Sequence, residues 1–128
     1  MEFETPLASD ENAAAVARRF LDGWLNETVG VATGDAIRLA TSELVTNAIR
    51  HGGLRPDDVV GLFVDVNRTT VRVDVEQPTS TTDAEIAESP GARGPGGFGL
   101  KIVSAVTDRW GVVAGKPGRV WFEVGLSH

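Results

Sequence analysis

The sequence predicts a two-layer α/β sandwich, in which a mixed but mostly antiparallel sheet carries helices on one face. Two early segments repeat apolar residues every three or four positions, as amphipathic helices do. Later segments alternate apolar and polar residues, which is typical of antiparallel strands with one buried and one wet face. Each strand therefore offers only one side to a helical layer.

The composition indicates a folded protein. The chain has 128 residues, and we expect residues 1–128 to form a single domain. Hydrophobic residues make up 41% and charged residues 23%, as in globular rather than disordered proteins. The formal net charge is −6, whereas direct binding of nucleic acid needs a basic face that displaces counterions. Direct nucleic-acid binding is therefore not expected.

The sequence lacks the usual features of secreted, membrane and zinc-binding proteins. It contains no cysteine and two histidines, which argues against disulfides and a structural zinc site. The start, Met1 to Glu4, has no basic segment followed by an apolar run, and no later run is long enough for a membrane span. We therefore expect a cytoplasmic protein that does not bind membranes.

The first part of the chain predicts a short edge strand and two helices. Residues 1–8 alternate loosely, and Ser9 and Asp10 are candidate N-caps. The first helix ends near Asn26, residues 27–34 look like a connection, and the second helix covers 35–51 before the stop Gly52-Gly53. The apolar face of the first helix consists of Ala13, Val16, Ala17, Phe20, Leu21 and Trp24.

The second part predicts two hairpins separated by a loop and a helix. Residues 59–66 and 71–75 alternate around a turn at 67–70, and residues 110–114 and 119–124 flank a turn at 115–118. Residues 77–99 hold three of the six prolines and five glycines, so they predict a long loop that is either a functional lid or disordered. A third helix is expected to begin at Gly99-Leu100 and to bury Leu100, Val103 and Val106.

On the second helix, Glu43 and Asn47 are four residues apart and therefore lie about 40° from each other. Both residues lie next to the apolar stripe of the helix and not on the opposite side of it. A carboxamide oxygen there suits a hard Mg²⁺ ion, and a carboxylate can activate a nucleophile. A weak surface pair of the two side chains is the alternative, and it is the commoner meaning of an isolated Glu-x-x-x-Asn. His51 suits the negative end of the helix macrodipole.

A glycine cluster, Gly94-Pro95-Gly96-Gly97-Phe98-Gly99-Leu100, leads into the third helix. Glycines allow a phosphate to approach the backbone closely, and the unpaired amides of a helix N-terminus bind anions. The cluster lacks the Gly-Lys-Ser/Thr of a phosphate-binding loop, so a flexible linker is the alternative. Lys101 either helps to balance the negative charge of a phosphate or is simply a solvated lysine in the first turn of the helix.

Together these motifs carry a family resemblance over nearly the whole chain. Residues 43–51, Glu-Leu-Val-Thr-Asn-Ala-Ile-Arg-His, resemble the N-box of the GHKL ATPases, and residues 97–103, Gly-Phe-Gly-Leu-Lys-Ile-Val, resemble their later glycine box. Residues 108–111 and 120–123 resemble the closing segment of the anti-sigma-factor serine/threonine kinase branch, which is common in actinobacteria. The resemblance implies the two-layer Bergerat fold.

The resemblance also implies roles for individual residues. Glu43 would be the catalytic carboxylate, Asn47 would hold Mg²⁺ on the ATP phosphates, and residues 78–96 would form a mobile ATP lid. Members of this branch bind a sigma factor and phosphorylate an antagonist (anti-anti-sigma) protein, and they often form homodimers. The phosphates would be bound at the start of the third helix by Gly97, Gly99, Leu100 and Lys101.

One position departs from the family pattern. The family places an aspartate after the second strand of the first hairpin, where it accepts a hydrogen bond from the adenine amino group, and a glycine follows. This sequence has Gln77 there and no such glycine, while Glu76 points to the other face of the strand. Loss of a charge-assisted bond at a buried site costs about 1–3 kcal/mol.

Three functional classes therefore stay open from the sequence. The first is an active serine/threonine kinase and anti-sigma factor, which the presence of Glu43 and Asn47 favours. The second is a binding-only regulator with a weakened or empty nucleotide site, which Gln77 favours. The third is an ATP hydrolase in another switch, for which the sequence contains no dedicated motif.

Overall fold

A computed structural model describes residues 1–79 and 94–126. Its sheet has the order β1-β2-β3-β5-β4, and every neighbouring pair of strands is antiparallel. The predicted mixed sheet is therefore purely antiparallel in this part of the chain. The elements in chain order are β1 (Glu2–Ala8), α1 (Ala13–Thr28), α2 (Val31–His51), β2 (Val59–Val66), β3 (Thr70–Gln77), α3 (Gly94–Val106), β4 (Arg109–Val113) and β5 (Gly118–Gly125).

The helices cover one face of the sheet, as the sequence predicts. Alternate residues of β2 and β3 are almost fully buried, and the helices α1, α2 and α3 of the described residues pack on that side and against one another. The strand and helix residues on this side form one hydrophobic core, in which Phe122 and Leu62 have no exposed surface. The strand residues that contribute to it are Leu7, Val60, Leu62, Val64, Val71, Val73, Val75, Phe122 and Val124.

The predicted connection at 27–34 is wrong, because α1 continues to Thr28 and α2 begins at Val31. Only Val29 and Gly30 join the two helices, and both have extended backbone angles. Gly34 is buried in the first turns of α2, where an added Cβ would lie 3.1 Å from Nη1 of Arg38. Contact between the two helices outweighs the low helix propensity of glycine. The guanidinium of Arg38 donates to the carboxylate of Asp22 in α1 over 2.7 Å.

Two other predicted helix starts also differ from the structure. Helix α1 is preceded by Asn12, whereas Ser9 donates its hydroxyl proton to the carbonyl of Arg55 and the carboxylate of Asp10 accepts from the amide of Asn12. Helix α3 begins at Gly94, five residues before the predicted start at Gly99. Proline is well tolerated in a first helical turn, and Pro95 lies there. Most of the predicted lid lies outside the described residues.

The C-terminus of α2 has the predicted glycine stop. Gly53 adopts a φ of 65°, in the left-handed region that favours glycine. Gly52 donates its amide proton to the carbonyl oxygen of Ala48 at 2.9 Å. A Cβ added at Gly52 would lie 2.4 Å from that same carbonyl oxygen, so the backbone would have to move. The position therefore requires glycine.

Two glycine substitutions are expected to have opposite effects on stability. Gly23 is exposed within α1 and has no atom within 4 Å of an added Cβ, so Gly23→Ala should stabilise the protein by about 0.5–1 kcal/mol. Gly52→Ala should destabilise it by about 1–3 kcal/mol, because the new methyl group meets the backbone of α2. Urea unfolding of both variants measures the difference. Equal effects would contradict the assigned packing of Gly52.

The other face of the sheet is polar and charged. Asp74 is only 6% exposed there, and its carboxylate accepts from Nε of Arg72 at 2.9 Å and from Nη1 of Arg119 at 3.4 Å. The hydrogen bond with Asp74 raises the pKa of Arg72, and the one with Glu76 raises the pKa of Arg119. The guanidinium of Arg72 also covers the ring of Trp121, 4.3 Å from its centroid.

Candidate functional site

Helix α2 places Glu43 and Asn47 at the border of the core. Both residues are half-buried, whereas Leu44 and Ala48 beside them are buried and Arg50 is exposed. The structure therefore confirms that the pair flanks the apolar stripe. Glu43 makes no hydrogen bond or ion pair with the described residues. Its carboxylate has no structural partner in this part of the chain.

The carboxamide of Asn47 contains an unusual atom. Its Nδ2 is completely buried and has no hydrogen-bond partner in the described part of the chain. A buried polar group without a partner costs about 1–3 kcal/mol, so it calls for an explanation. The two other such atoms, Nε1 of Trp24 and Oγ1 of Thr41, belong to residues that no site motif includes.

The end of β3 is tied to the end of α2 through Gln77. Nε2 of Gln77 donates to the hydroxyl of Thr79 at 3.0 Å, and that hydroxyl donates to the carbonyl oxygen of Gly52 at 2.5 Å. Oε1 of Gln77 lies 3.1 Å from the position of a Cβ at Gly52. Glu76 is on the opposite face, where Arg119 donates to it at 2.5 Å. The structure thus brings Gln77 next to the helix that carries Glu43 and Asn47.

Helix α3 packs against α2 and carries the glycine box. The side chain of Leu100 is buried, at 4% exposure, and Lys101 is exposed. The amides at the start of a helix have no intrahelical partner, and here they belong to the turn that begins at Gly94, in which Pro95 has no N–H. Gly99 and Leu100 lie beyond that turn, within the helix, so the structure does not place their amides at the helix start as the sequence predicts.

A surface groove on the outer face of the sheet is a less suitable binding site for ATP than the site around α2 and α3. Its charged lining includes four carboxylates and two guanidiniums, and the guanidiniums are already paired with acidic groups. A triphosphate would meet net negative charge there. The lining residues are Glu2, Phe3, Glu4, Phe63, Val64, Asp65, Arg72, Asp74 and Arg119, none of which the sequence analysis assigned to a site.

Sequence reasoning did not find two residues that the structure places beside Gln77. The sequence predicts Gly52 only as a helix stop and Thr79 only as part of the lid. Thr79 comes two residues after the end of β3, a position where threonine is common in turns. Its hydrogen bond to Gly52, 27 positions earlier, cannot be predicted from residue spacing. The only available signal was the polar pair Gln77 and Thr79 flanking Pro78 at a strand end.

The protein family follows from a comparison with family models. Residues 7–121 match the model described as the histidine kinase-like ATPase domain. The chain belongs to this family. The match covers α2, the end of β3 and the glycine box, which are the three parts of the candidate site. Membership of the histidine kinase-like ATPase domain family implies that the chain binds ATP. A search of curated proteins found no significant match to the sequence.

Solved structures share the fold of this histidine kinase-like ATPase domain. The RsbU and RsbW domains of Rv1364c from Mycobacterium tuberculosis match all of this chain, with a TM-score of 0.76 and 21% identity. The histidine kinase domain of the blue-light activated kinase EL346 from Erythrobacter litoralis matches 89% of it, with a TM-score of 0.63 and 22% identity. A structure of the EL346 blue-light activated histidine kinase from Erythrobacter litoralis matches 95% of this chain, with a TM-score of 0.65 and 26% identity.

This histidine kinase-like ATPase domain spans only part of the chains that it resembles. It covers 33% of the Rv1364c chain, 59% of the EL346 kinase domain and 42% of the other EL346 chain. No helix within residues 1–79 and 94–126 has the length and apolar character needed to cross a membrane. The same residues contain no cluster of three or more histidine or acidic side chains that would hold a metal ion by themselves.

Proposed function

We propose that this protein is an ATP-binding regulator that binds a sigma factor and phosphorylates a serine or threonine of an antagonist protein. Membership of the ATPase family supports the nucleotide, and the closing motif at 108–111 and 120–123 supports the anti-sigma-factor kinase branch. The fold is shared with a chain that contains an RsbW domain.

The placement of the Asn47 carboxamide at the border of the core, one helical turn after the carboxylate of Glu43, carries the proposal. Its Nδ2 is buried without a partner in the described part of the chain, a cost that a site serving a ligand can tolerate. Asn47 also fits Mg²⁺, which usually takes one or two protein oxygens and completes its shell with phosphates and water. The described residues offer no rival cluster of acidic metal ligands. When bound, Mg²⁺ would neutralise charge on the ATP phosphates.

Glu43 would act on the protein substrate. It lies one helical turn before Asn47 and is half-buried without a structural partner in the described part of the chain. A carboxylate in that position can accept the proton of an attacking serine or threonine hydroxyl and orient its oxygen towards the phosphate. Lys101, exposed on α3, is available to balance phosphate charge.

A second candidate is a regulator that binds its partner without using ATP, and Gln77 favours it. An aspartate at this position would accept the adenine amino proton with a full negative charge, whereas a carboxamide is neutral. We therefore expect Gln77→Asp to tighten ATP binding about 10–100-fold. Calorimetric titration of ATP with Mg²⁺ into wild type and variant measures this. An unchanged affinity would show that Gln77 does not contact the base.

The same titration separates the two candidate functions. Heat of ATP binding in the wild type that depends on Mg²⁺ supports the kinase. An absence of heat at millimolar ATP that Gln77→Asp restores identifies the binding-only regulator. An absence of heat in both proteins would mean that the pocket itself is wrongly assigned.

The partners are tested by affinity purification of the tagged protein followed by mass spectrometry. Recovery of a sigma factor, or of a small α/β protein that becomes phosphorylated on serine or threonine, supports the proposal. Repeated recovery of nucleic acid and neither protein class would contradict it. Size-exclusion chromatography with light scattering tests the homodimer that the branch resemblance implies.

A further inference from the structure

We propose that Leu39 and Arg50, which lie on either side of Glu43 along α2, bind the phosphoacceptor protein and select which antagonist is phosphorylated. This inference rests on the proposed function and adds the residues that recognise the protein substrate. The partner that fits them carries an apolar side chain on one side of its serine or threonine and a carboxylate on the other. Leu39 and Arg50 determine specificity in this scheme and take no part in the chemical step.

Leu39, Glu43 and Asn47 form one row along α2. Each follows the previous one by four residues, so it lies about 40° further round the helix and about 6 Å further along it. Exposure falls along this row. Leu39 is 42% exposed, Glu43 is half-buried and Nδ2 of Asn47 is completely buried. The row therefore leads from the solvent towards the proposed nucleotide site.

Arg50 lies on the same side of the helix, beyond Glu43. The spacing of seven residues places it about 20° from Glu43 round the helix and about 10 Å further along the axis. Arg50 is exposed and forms no ion pair with the described residues. By contrast, Arg38 on another side of α2 donates to the carboxylate of Asp22 at 2.7 Å. The guanidinium of Arg50 is therefore suited to a carboxylate on a partner.

The size of a protein interface brings both residues into contact with the partner. Proton transfer to Glu43 requires the acceptor hydroxyl to come within about 3 Å of its carboxylate. A specific interface buries about 800 Å² on each partner, which corresponds to a patch about 30 Å across. Leu39 and Arg50, about 6 and 10 Å from Glu43 along the helix, lie well inside a patch that is centred there.

Leu39 is the apolar contact in this patch. Leucines are common on protein surfaces, so its place beside Glu43, rather than its exposure alone, carries the inference. Helix α1 does not cover this side of α2, because its polar contacts are with Arg38 and Ser42, about 140° and 100° from Glu43 round the helix. Leu39 is about 80° from Asn47, so it should contribute to affinity for the protein and not for ATP.

The inference is tested by measuring transfer of labelled γ-phosphate to the antagonist that co-purifies with the wild-type protein. Leu39→Gln should raise KM for the antagonist about tenfold, because glutamine favours the helix but loses the apolar contact. Leu39→Met keeps an apolar side chain and should restore most of the wild-type KM. Arg50→Gln should raise KM and remove the salt dependence that the ion pair gives to it. The effects should appear in KM rather than in kcat or in affinity for ATP.

Val16→Gln is the matched control. Val16 is an apolar residue that is 37% exposed on α1, and its replacement should leave KM unchanged. Urea unfolding establishes that each variant is folded. An unchanged KM in a folded Leu39→Gln or Arg50→Gln protein, or an equal rise in Val16→Gln, overturns the inference and leaves the proposed function intact. Failure of the wild type to phosphorylate any co-purified protein overturns the proposed function, and this docking surface with it.

Discussion

Replacement of Asn47 by leucine is expected to abolish most Mg²⁺-dependent ATP binding while leaving the nucleotide-free protein at least as stable as the wild type. Nδ2 of Asn47 is buried without a partner, so its removal relieves a cost of about 1–3 kcal/mol. The lost carboxamide oxygen removes the group that would hold Mg²⁺, which should weaken ATP binding about 10–100-fold. A function that is maintained at a cost in stability is expected at a binding site.

The experiment combines urea unfolding without nucleotide with calorimetric titration of ATP in the presence and absence of Mg²⁺. Asn12→Leu is the matched control, because Asn12 is exposed before α1 and its side chain makes no capping hydrogen bond. The control should change neither quantity appreciably. Loss of stability in Asn47→Leu together with full ATP binding would show that Asn47 is an ordinary structural residue.

Replacement of Glu43 by glutamine is expected to slow phosphotransfer about 10²–10⁴-fold, which is the usual contribution of a general base. Glutamine keeps the size of the side chain and cannot accept the proton. Affinity for ATP should change little, since the carboxylate acts on the hydroxyl in the transition state rather than on the bound nucleotide. Loss of kcat without loss of ATP affinity would distinguish a catalytic role from a structural one.

The measurement is transfer of labelled γ-phosphate to the co-purified antagonist under single-turnover conditions. Glu11→Gln, at an exposed position before α1, is the matched control and should transfer phosphate at the wild-type rate. If Glu43→Gln transfers phosphate at the wild-type rate, Glu43 is not catalytic and forms only a weak surface pair with Asn47. Slower transfer caused only by weaker ATP binding would likewise contradict the catalytic role.

Features that depend on local periodicity could be predicted from the order of the residues alone. The spacing of 3.6 residues per turn placed Glu43 beside Asn47 at the edge of the core, and alternation placed Glu76 and Gln77 on opposite faces of β3. Both hairpins were predicted for the same reason, the helix stop was predicted from the glycine pair Gly52-Gly53, and the motifs led to the correct family. The roles assigned to Gly97, Gly99, Leu100 and Lys101 stay predictions.

Features that depend on contacts between distant segments became visible in the folded chain and not before. Gly34 looks like a loop residue until the packing of α1 on α2 shows that the helix continues through it. Asp74 has the alternation of a wet-face residue, yet it is buried and forms ion pairs with two arginines from two strands. Thr79 meets Gly52 because the end of β3 lies against the end of α2. Such contacts join residues far apart in sequence, so no local pattern of residue types can specify them.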